Sequence, residues 1–333
     1  MDDLFTYLKW RGDIPFSQVP PTPVDALIFS ELSYLGFGGI VAAHPGQTIP
    51  LREAAEAFFA LPNKEQVYRV KADLRLLKAC AQTLRFGNTE LTFFRELFLP
   101  HEETQFAALG CLLDDGTAFL AFRGTDYSLV GWKEDFNMTF QQTIPAQRMA
   151  QQYVREAAQE YIRPIHLGGH SKGGNLAVYA GAKCGEALQP RILKVYNFDG
   201  PGFTQTMLED PGYKKMVGRV KTMVPQFSVF GLMLERQENL QVVQSSAVGL
   251  LQHEPYSWQV MGKDFVSGEA LAEGSVFLDR TLTTWLSSLD NTQRSEFFDG
   301  IFGLLMQENA SQPKDVLRPQ NVLAALKTIH LEE

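Results

Sequence analysis

The sequence predicts an α/β fold, a mostly parallel sheet flanked by helices, with extra helical segments at both ends. Three observations predict it. Apolar strand-like runs alternate with helical spacing through the middle of the chain, the order that builds a parallel sheet. A glycine-rich stretch, Gly168-Gly169-His170-Ser171-Lys172-Gly173-Gly174, joins one such run to one such helix. Hydrophobic residues make up 45% and charged residues 20% of 333, which supplies a core and excludes a disordered chain.

The elements follow in order. The first ninety residues read as mainly helical. Pro20, Pro21 and Pro23 break the chain, and Asp25 then precedes Ala26, Leu27, Ile28, Leu32 and Leu35 at helical spacing. Gly36, Gly38 and Gly39 end that helix, and 51–61 and 72–84 are two more helices around Pro62-Asn63-Lys64. Residues 7–13 have no periodicity and read as an ordered arm. Strands are expected at 92–99, 105–113 and 118–123, the last two joined by Asp114-Asp115-Gly116-Thr117, a hairpin signal. A helix over 145–161 starts on a proline. A short strand at 163–167, a helix at 175–184, and strands at 192–198, 219–224 and 240–244 complete the alternation. From Leu271 the chain reads as helical again. With no internal repeat or low-complexity linker, residues 1–333 are expected to form one domain: a helical segment to 90, a core over 91–260 and a helical segment over 261–333.

The charge balance narrows the partners. A net charge of −8 without a basic patch disfavours nucleic acid. Cys80, Cys111 and Cys184 are odd in number and form no C-x-x-C pair, so neither a disulfide framework nor a zinc knuckle is expected. The N-terminus has no basic region followed by an apolar one, and no apolar run approaches a membrane span. The expectation is a cytoplasmic protein without a transmembrane segment or signal peptide.

The chemistry centres on Gly169-His170-Ser171-Lys172-Gly173, a G-x-S-x-G pattern between a strand and a helix. Such a serine sits on a sharp, strained turn whose neighbours two residues away must be tiny. The turn lifts its hydroxyl clear of the sheet at the positive end of the helix. A hydroxyl needs a base. His44, His101 and His166 precede the serine, His170 lies within the turn as a packing residue, and His330 is three residues from the end. His253, in a loop after the strand at 240–244, is the expected base. The base needs a carboxylate to fix its tautomer. Asp199, ending the strand at 192–198 before Gly200-Pro201-Gly202, is the favoured acid, with Glu235 and Glu254 in reserve. The oxyanion requires two backbone N–H donors. Lys172, the residue after the serine, offers one; the strand-end loop Phe122-Arg123-Gly124-Thr125-Asp126 offers another at Thr125, with a hydroxyl besides.

These residues carry a family resemblance. Ala121-Phe122-Arg123-Gly124-Thr125, with Trp132 and Asp135, resembles the F-R-G-[TS]…W…D stretch of class 3 (fungal-type) lipases. Together with 169–173 and His253, the likeness covers roughly 105–258. The 7–13 arm, the 197–202 turn and 253–258 look like a bacterial domain-of-unknown-function family of the same α/β-hydrolase superfamily, over nearly the whole chain. The resemblance implies an α/β-hydrolase fold, a serine hydrolase acting on a carboxylic or lipid-like acyl ester, Thr125 in the oxyanion hole, and no metal or organic cofactor. One departure is specific: class 3 lipases carry their acid after the next strand, where Val224-Pro225-Gln226 has none. Two other readings fit the same residues, a thioesterase or acyltransferase and an inactive hydrolase fold that binds a ligand or partner. The apolar run at 227–234 reads as a core segment, with an acyl pocket or lid as the functional alternative.

Overall fold

The computed structural model describes residues 2–126 and 129–307. Eight strands form one sheet in chain order: β1 (Ile49–Pro50), β2 (Glu90–Leu99), β3 (Thr104–Leu112), β4 (Ala118–Phe122), β5 (Ile165–His170), β6 (Ile192–Phe198), β7 (Val220–Pro225) and β8 (Leu240–Val243). Strands β1 to β4 pair antiparallel, and β4 to β8 pair parallel. The connections explain the switch. Between β3 and β4 the backbone turns at Gly116 with φ +85°, and Asp115 Oδ1 accepts from Thr117 N at 2.8 Å, which closes a hairpin. After β4 the chain returns through helices Pro145–Glu160, Lys172–Lys183 and Pro211–Met216, and a helical crossover sets the next strand parallel. The result is a mostly parallel eight-stranded sheet flanked by helices, with the serine turn after β5.

Strand alternation divides the core into two layers. Leu120, Phe122, Leu167 and Val195 pack with Tyr153, Val154 and Leu176 of the crossover helices. Phe119, Ala121, Tyr196 and Phe198 face the other way, with Leu27 and Phe29 of helix Pro23–Leu32. The Phe29 and Phe119 rings lie 5.1 Å apart. The N-terminal segment is therefore one face of the sheet's core. Thr22 and Asp25 form a capping box around Pro23, which starts that helix where the proline signal places it.

The 7–13 stretch differs from the expectation: residues 7–11 lie in helix Leu4–Arg11, capped at its C-terminal end by Gly12. Its N-terminal cap is Asp3, whose Oδ1 accepts from Thr6 N at 2.8 Å. Tertiary contacts hold it rather than periodicity. The buried Tyr7 hydroxyl donates to Asp25 Oδ1 at 2.9 Å, and Arg85 pairs with both Asp25 oxygens at 2.8 and 2.7 Å. The sequence reading also missed helix Leu129–Asn137, the short helices Gln205–Leu208 and Pro211–Met216, and the hairpin of Val260–Met261 with Asp264–Phe265. At the C-terminal end, helices Glu273–Ser288 and Asn291–Gln307 meet the helical expectation, while 308–333, with His330, lie outside the described residues. Among the described residues no helix is long and apolar enough to cross a membrane.

Candidate active site

Strand β5 runs to His170, and helix Lys172–Lys183 begins immediately after Ser171, three residues before the helix read from the sequence. No residue is left to relax the turn, and Ser171 takes φ +57° with ψ −132°. A non-glycine residue there carries strain of roughly 1–3 kcal/mol, which the surroundings must impose. They do so by close approach. A Cβ on Gly173 would come within 2.9 Å of the Arg123 carbonyl carbon, and one on Gly169 within 2.6 Å of the Phe122 oxygen. Gly173→Ala is accordingly expected to push helix and strand apart and lower the melting temperature by several degrees; a wild-type melting curve would contradict this.

The turn sits between two strand ends. Phe122 of β4 pairs with Gly169 of β5, so the Thr125 loop follows the strand beside the Ser171 turn. A Cβ on Gly124 would lie 3.1 Å from Ser171 Cβ. On the other side Ser171 N donates to Phe198 O at 2.8 Å, and the next residue is Asp199.

Asp199 is fully buried with φ +53°, a backbone state that aspartate tolerates better than most residues. Its Oδ2 lies 2.6 Å from His253 Nδ1, and its Oδ1 accepts from Ser228 Oγ at 2.5 Å. Gly231 leaves room for this pairing, since a Cβ there would stand 2.7 Å from Ser228 Oγ. With Nδ1 bound to the carboxylate, Nε2 is the basic nitrogen of His253. The His253 ring is tilted against those of His170, at 4.6 Å between centroids, and Phe230, at 4.7 Å. The structure thus brings Asp199 and His253 together, and the His253 ring against the neighbour of Ser171. Glu235 makes backbone hydrogen bonds with Phe203, and Glu254 pairs with Arg69; neither reserve acid is the Nδ1 partner.

Thr125 and Lys172 have further attachments. Thr125 Oγ1 lies 2.7 and 2.6 Å from the two Asp135 oxygens. The Lys172 N–H opens a helix, where no intrahelical acceptor exists. Its side chain is buried: Nζ donates to Glu134 Oε2 at 2.6 Å and to the Gln105 carbonyl at 2.9 Å. Helix Leu129–Asn137, carrying Glu134 and Asp135, is thereby tied to the turn. The same helix walls a pocket at Ser171 whose apolar lining is Trp132, Phe136, Met138, Pro201, Phe230 and Met233. Phe230 and Met233 belong to the 227–234 run, so that segment lines this pocket.

Asp135 also borders the pocket, and burial there raises its pKa from 3.8 to about 7 despite the opposing Lys172 charge and Thr125 hydrogen bond. Between these two values the folded protein keeps a proton that the unfolded chain has lost. Its contribution to stability therefore falls as pH rises from about 4 to 7. Asp135→Asn should flatten that part of the stability–pH curve; an unchanged slope in denaturant titrations would contradict it.

A family model described as Mbeg1-like matches residues 80–303. The chain belongs to the Mbeg1-like family. Strands β2 to β8, the serine turn, Asp199 and His253 all lie within the matched part of this Mbeg1-like chain, whereas the first 79 residues precede it. No curated protein matches the chain. Among solved structures it is similar to M37 lipase, at 16% identity over 63% of this chain and 69% of that one, TM-score 0.42. It is similar to an MDLA mutant from Penicillium cyclopium, at 13% identity over 75% and 87%, TM-score 0.46. The Rhizomucor miehei lipase propeptide complex matches at 13% identity over 86% and 94%, TM-score 0.40. The likeness is one of fold.

Proposed function

We propose that this Mbeg1-like protein is a serine hydrolase that cleaves a carboxylic or lipid-like acyl ester through an acyl-enzyme on Ser171. The observation that carries the reading is the Asp199–His253 pair at 2.6 Å, packed against the residue before a strained serine. Ser171 Oγ attacks the ester carbonyl while its proton passes to His253 Nε2. The negative charge on the former carbonyl oxygen meets the backbone N–H groups of Thr125 and Lys172. The carbonyl–oxygen bond to the alcohol breaks, and the alcohol leaves with the proton from His253. Water then attacks the acyl-enzyme, gives a proton to His253, and releases the acid and the restored serine.

Asp135 gives Thr125 a second part. A hydroxyl has one proton, and donating it to a carboxylate leaves none for the oxyanion. When Asp135 holds a proton of its own it donates to Thr125 Oγ1, and the Thr125 O–H is freed to join the two backbone donors. The apolar wall from Trp132 to Met233 favours an acyl chain over a polar group. The three buried free thiols suit a reducing compartment, which supports a cytoplasmic placement. The core shared between the N-terminal helix and the sheet supports one domain.

A series of p-nitrophenyl esters of increasing chain length tests this reading. Turnover is expected, with kcat/KM rising from acetate to a medium chain as apolar surface is buried. No turnover of any ester, thioester or amide by folded protein would favour an inactive binding fold.

A further inference from the structure

The loop that carries His253 is held at Gln252 and Trp258, where Trp258 is buried, its Nε1 donates to the Gln252 carbonyl at 2.9 Å and Gln252 Oε1 accepts from Phe227 N at 2.8 Å; His253 and Glu254 between them depend on other groups. His253 ends a short 3-10 turn, Gly249–His253, and a second one, Pro255–Ser257, follows Glu254. Such turns are marginal alone. On the outer side Val248, Leu250 and Leu251 are exposed, so apolar burial does not anchor that end. Polar groups hold the inner side. His170 Nε2 lies 2.9 Å from the His253 carbonyl, and Tyr34 Oη lies 3.2 Å from His170 Nδ1. A neutral imidazole that donates at Nε2 accepts at Nδ1, which matches these two partners. Arg69 Nη2 lies 2.8 Å from Glu31 Oε2 and 2.9 Å from Glu254 Oε1, with the guanidinium 4.2 Å over the Tyr34 ring. Asp73 completes the group: its Oδ1 accepts from the Tyr256 hydroxyl at 2.8 Å, and its Oδ2 caps Val70 N at 2.8 Å.

We propose that Arg69 is a positioning residue for His253: seated on buried Glu31, it grips Glu254 while His170 grips the His253 carbonyl. The inference rests on the hydrolase reading for its effect on turnover. Glu31, Tyr34, Arg69 and Asp73 all precede the matched family region at 80–303, so the N-terminal segment supplies the brace and the core supplies the chemistry. The ion pairs suit this task. Glu31 is fully buried and the Arg69 side chain is 8% exposed, whereas Glu254 is 32% exposed. A guanidinium reaching two carboxylates fixes direction as well as distance. Burial opposes the charge on Arg69, and Glu31, Glu254, Tyr34 and Asp73 together more than offset that opposition.

Removing Arg69 would strand Glu31 in the interior and put folding at risk. Glu254→Gln is the cleaner variant, because it loosens the loop and leaves the buried pair intact. Tyr34→Phe removes the hydroxyl beside His170. Each is expected to lower kcat roughly 10- to 100-fold, as a misplaced catalytic group does, with KM within about twofold because the pocket is untouched. Amides of 249–257 should exchange with solvent about tenfold faster, while those of Lys172–Lys183 keep wild-type protection. Arg69→Lys, which keeps the charge but not the planar group over the Tyr34 ring, should fall between wild type and Glu254→Gln. Wild-type kcat and wild-type exchange in both Glu254→Gln and Tyr34→Phe would overturn the proposal. If the wild-type protein turns over no ester, the hydrolase reading fails and exchange alone decides: faster exchange over 249–257 supports the brace, and unchanged exchange overturns it.

Discussion

Ser171→Ala is expected to reduce ester turnover by roughly six orders of magnitude, the scale seen when a serine–histidine unit loses its nucleophile. The protein should still fold, because Ser171 contributes backbone geometry and alanine has a Cβ of the same kind. The backbone N–H that donates to Phe198 O is retained, so the strand ends stay joined. The melting temperature should remain within a few degrees of wild type, because alanine keeps the Cβ and with it the φ +57° strain. Steady-state assays with active-site titration of the wild type check the rate, and a thermal melt checks the fold. Turnover by folded Ser171→Ala above one part in a thousand of wild type would remove Ser171 from the mechanism.

Asp199→Asn carries the second largest effect, a loss in kcat of about 10⁴-fold. The amide keeps the size of the carboxylate and one acceptor oxygen. Its NH₂ group, turned toward His253 Nδ1, favours the tautomer whose proton sits on Nε2 and cannot accept one from serine. Ser228 Oγ, now 2.5 Å from Oδ1, decides the matter, since a hydroxyl can accept as well as donate and does not force the amide the right way. Glu235→Gln should be near wild type, and Glu254→Gln should fall far short of 10⁴. A near-wild-type Asp199→Asn would return the acid role to another carboxylate.

The serine turn was legible because it is local. Strand, glycines, serine and helix stand together in sequence, and the close approaches at Gly169 and Gly173 are what that spacing demands. Asp199 could be singled out from its place at the end of a buried strand beside the turn, and the fold sets its Oδ2 2.6 Å from His253 Nδ1. Its second partner could not be: Ser228 follows β7, and only the parallel pairing of β6 with β7 brings a serine there to Asp199. The surroundings of the Lys172 side chain were illegible for the same reason: its Nζ lies against Glu134 in a helix whose position the sequence does not reveal. Glu31, Arg69 and Glu254 are charged residues far apart in the chain, and folding the N-terminal segment onto the sheet brings them into one group. Tyr7, in a helix of weak periodicity, follows the same rule through Asp25 and Arg85.

The central claim is an activated serine at residue 171, and a fluorophosphonate probe reads it directly. The phosphorus–fluorine bond breaks as Ser171 Oγ bonds to phosphorus, and fluoride leaves. Reaction of the wild-type protein followed by peptide mass mapping is expected to place one adduct on Ser171. His253→Ala should label far more slowly and Ser171→Ala not at all. Folded wild-type protein that takes up no probe, or labels equally fast without His253, would contradict the account.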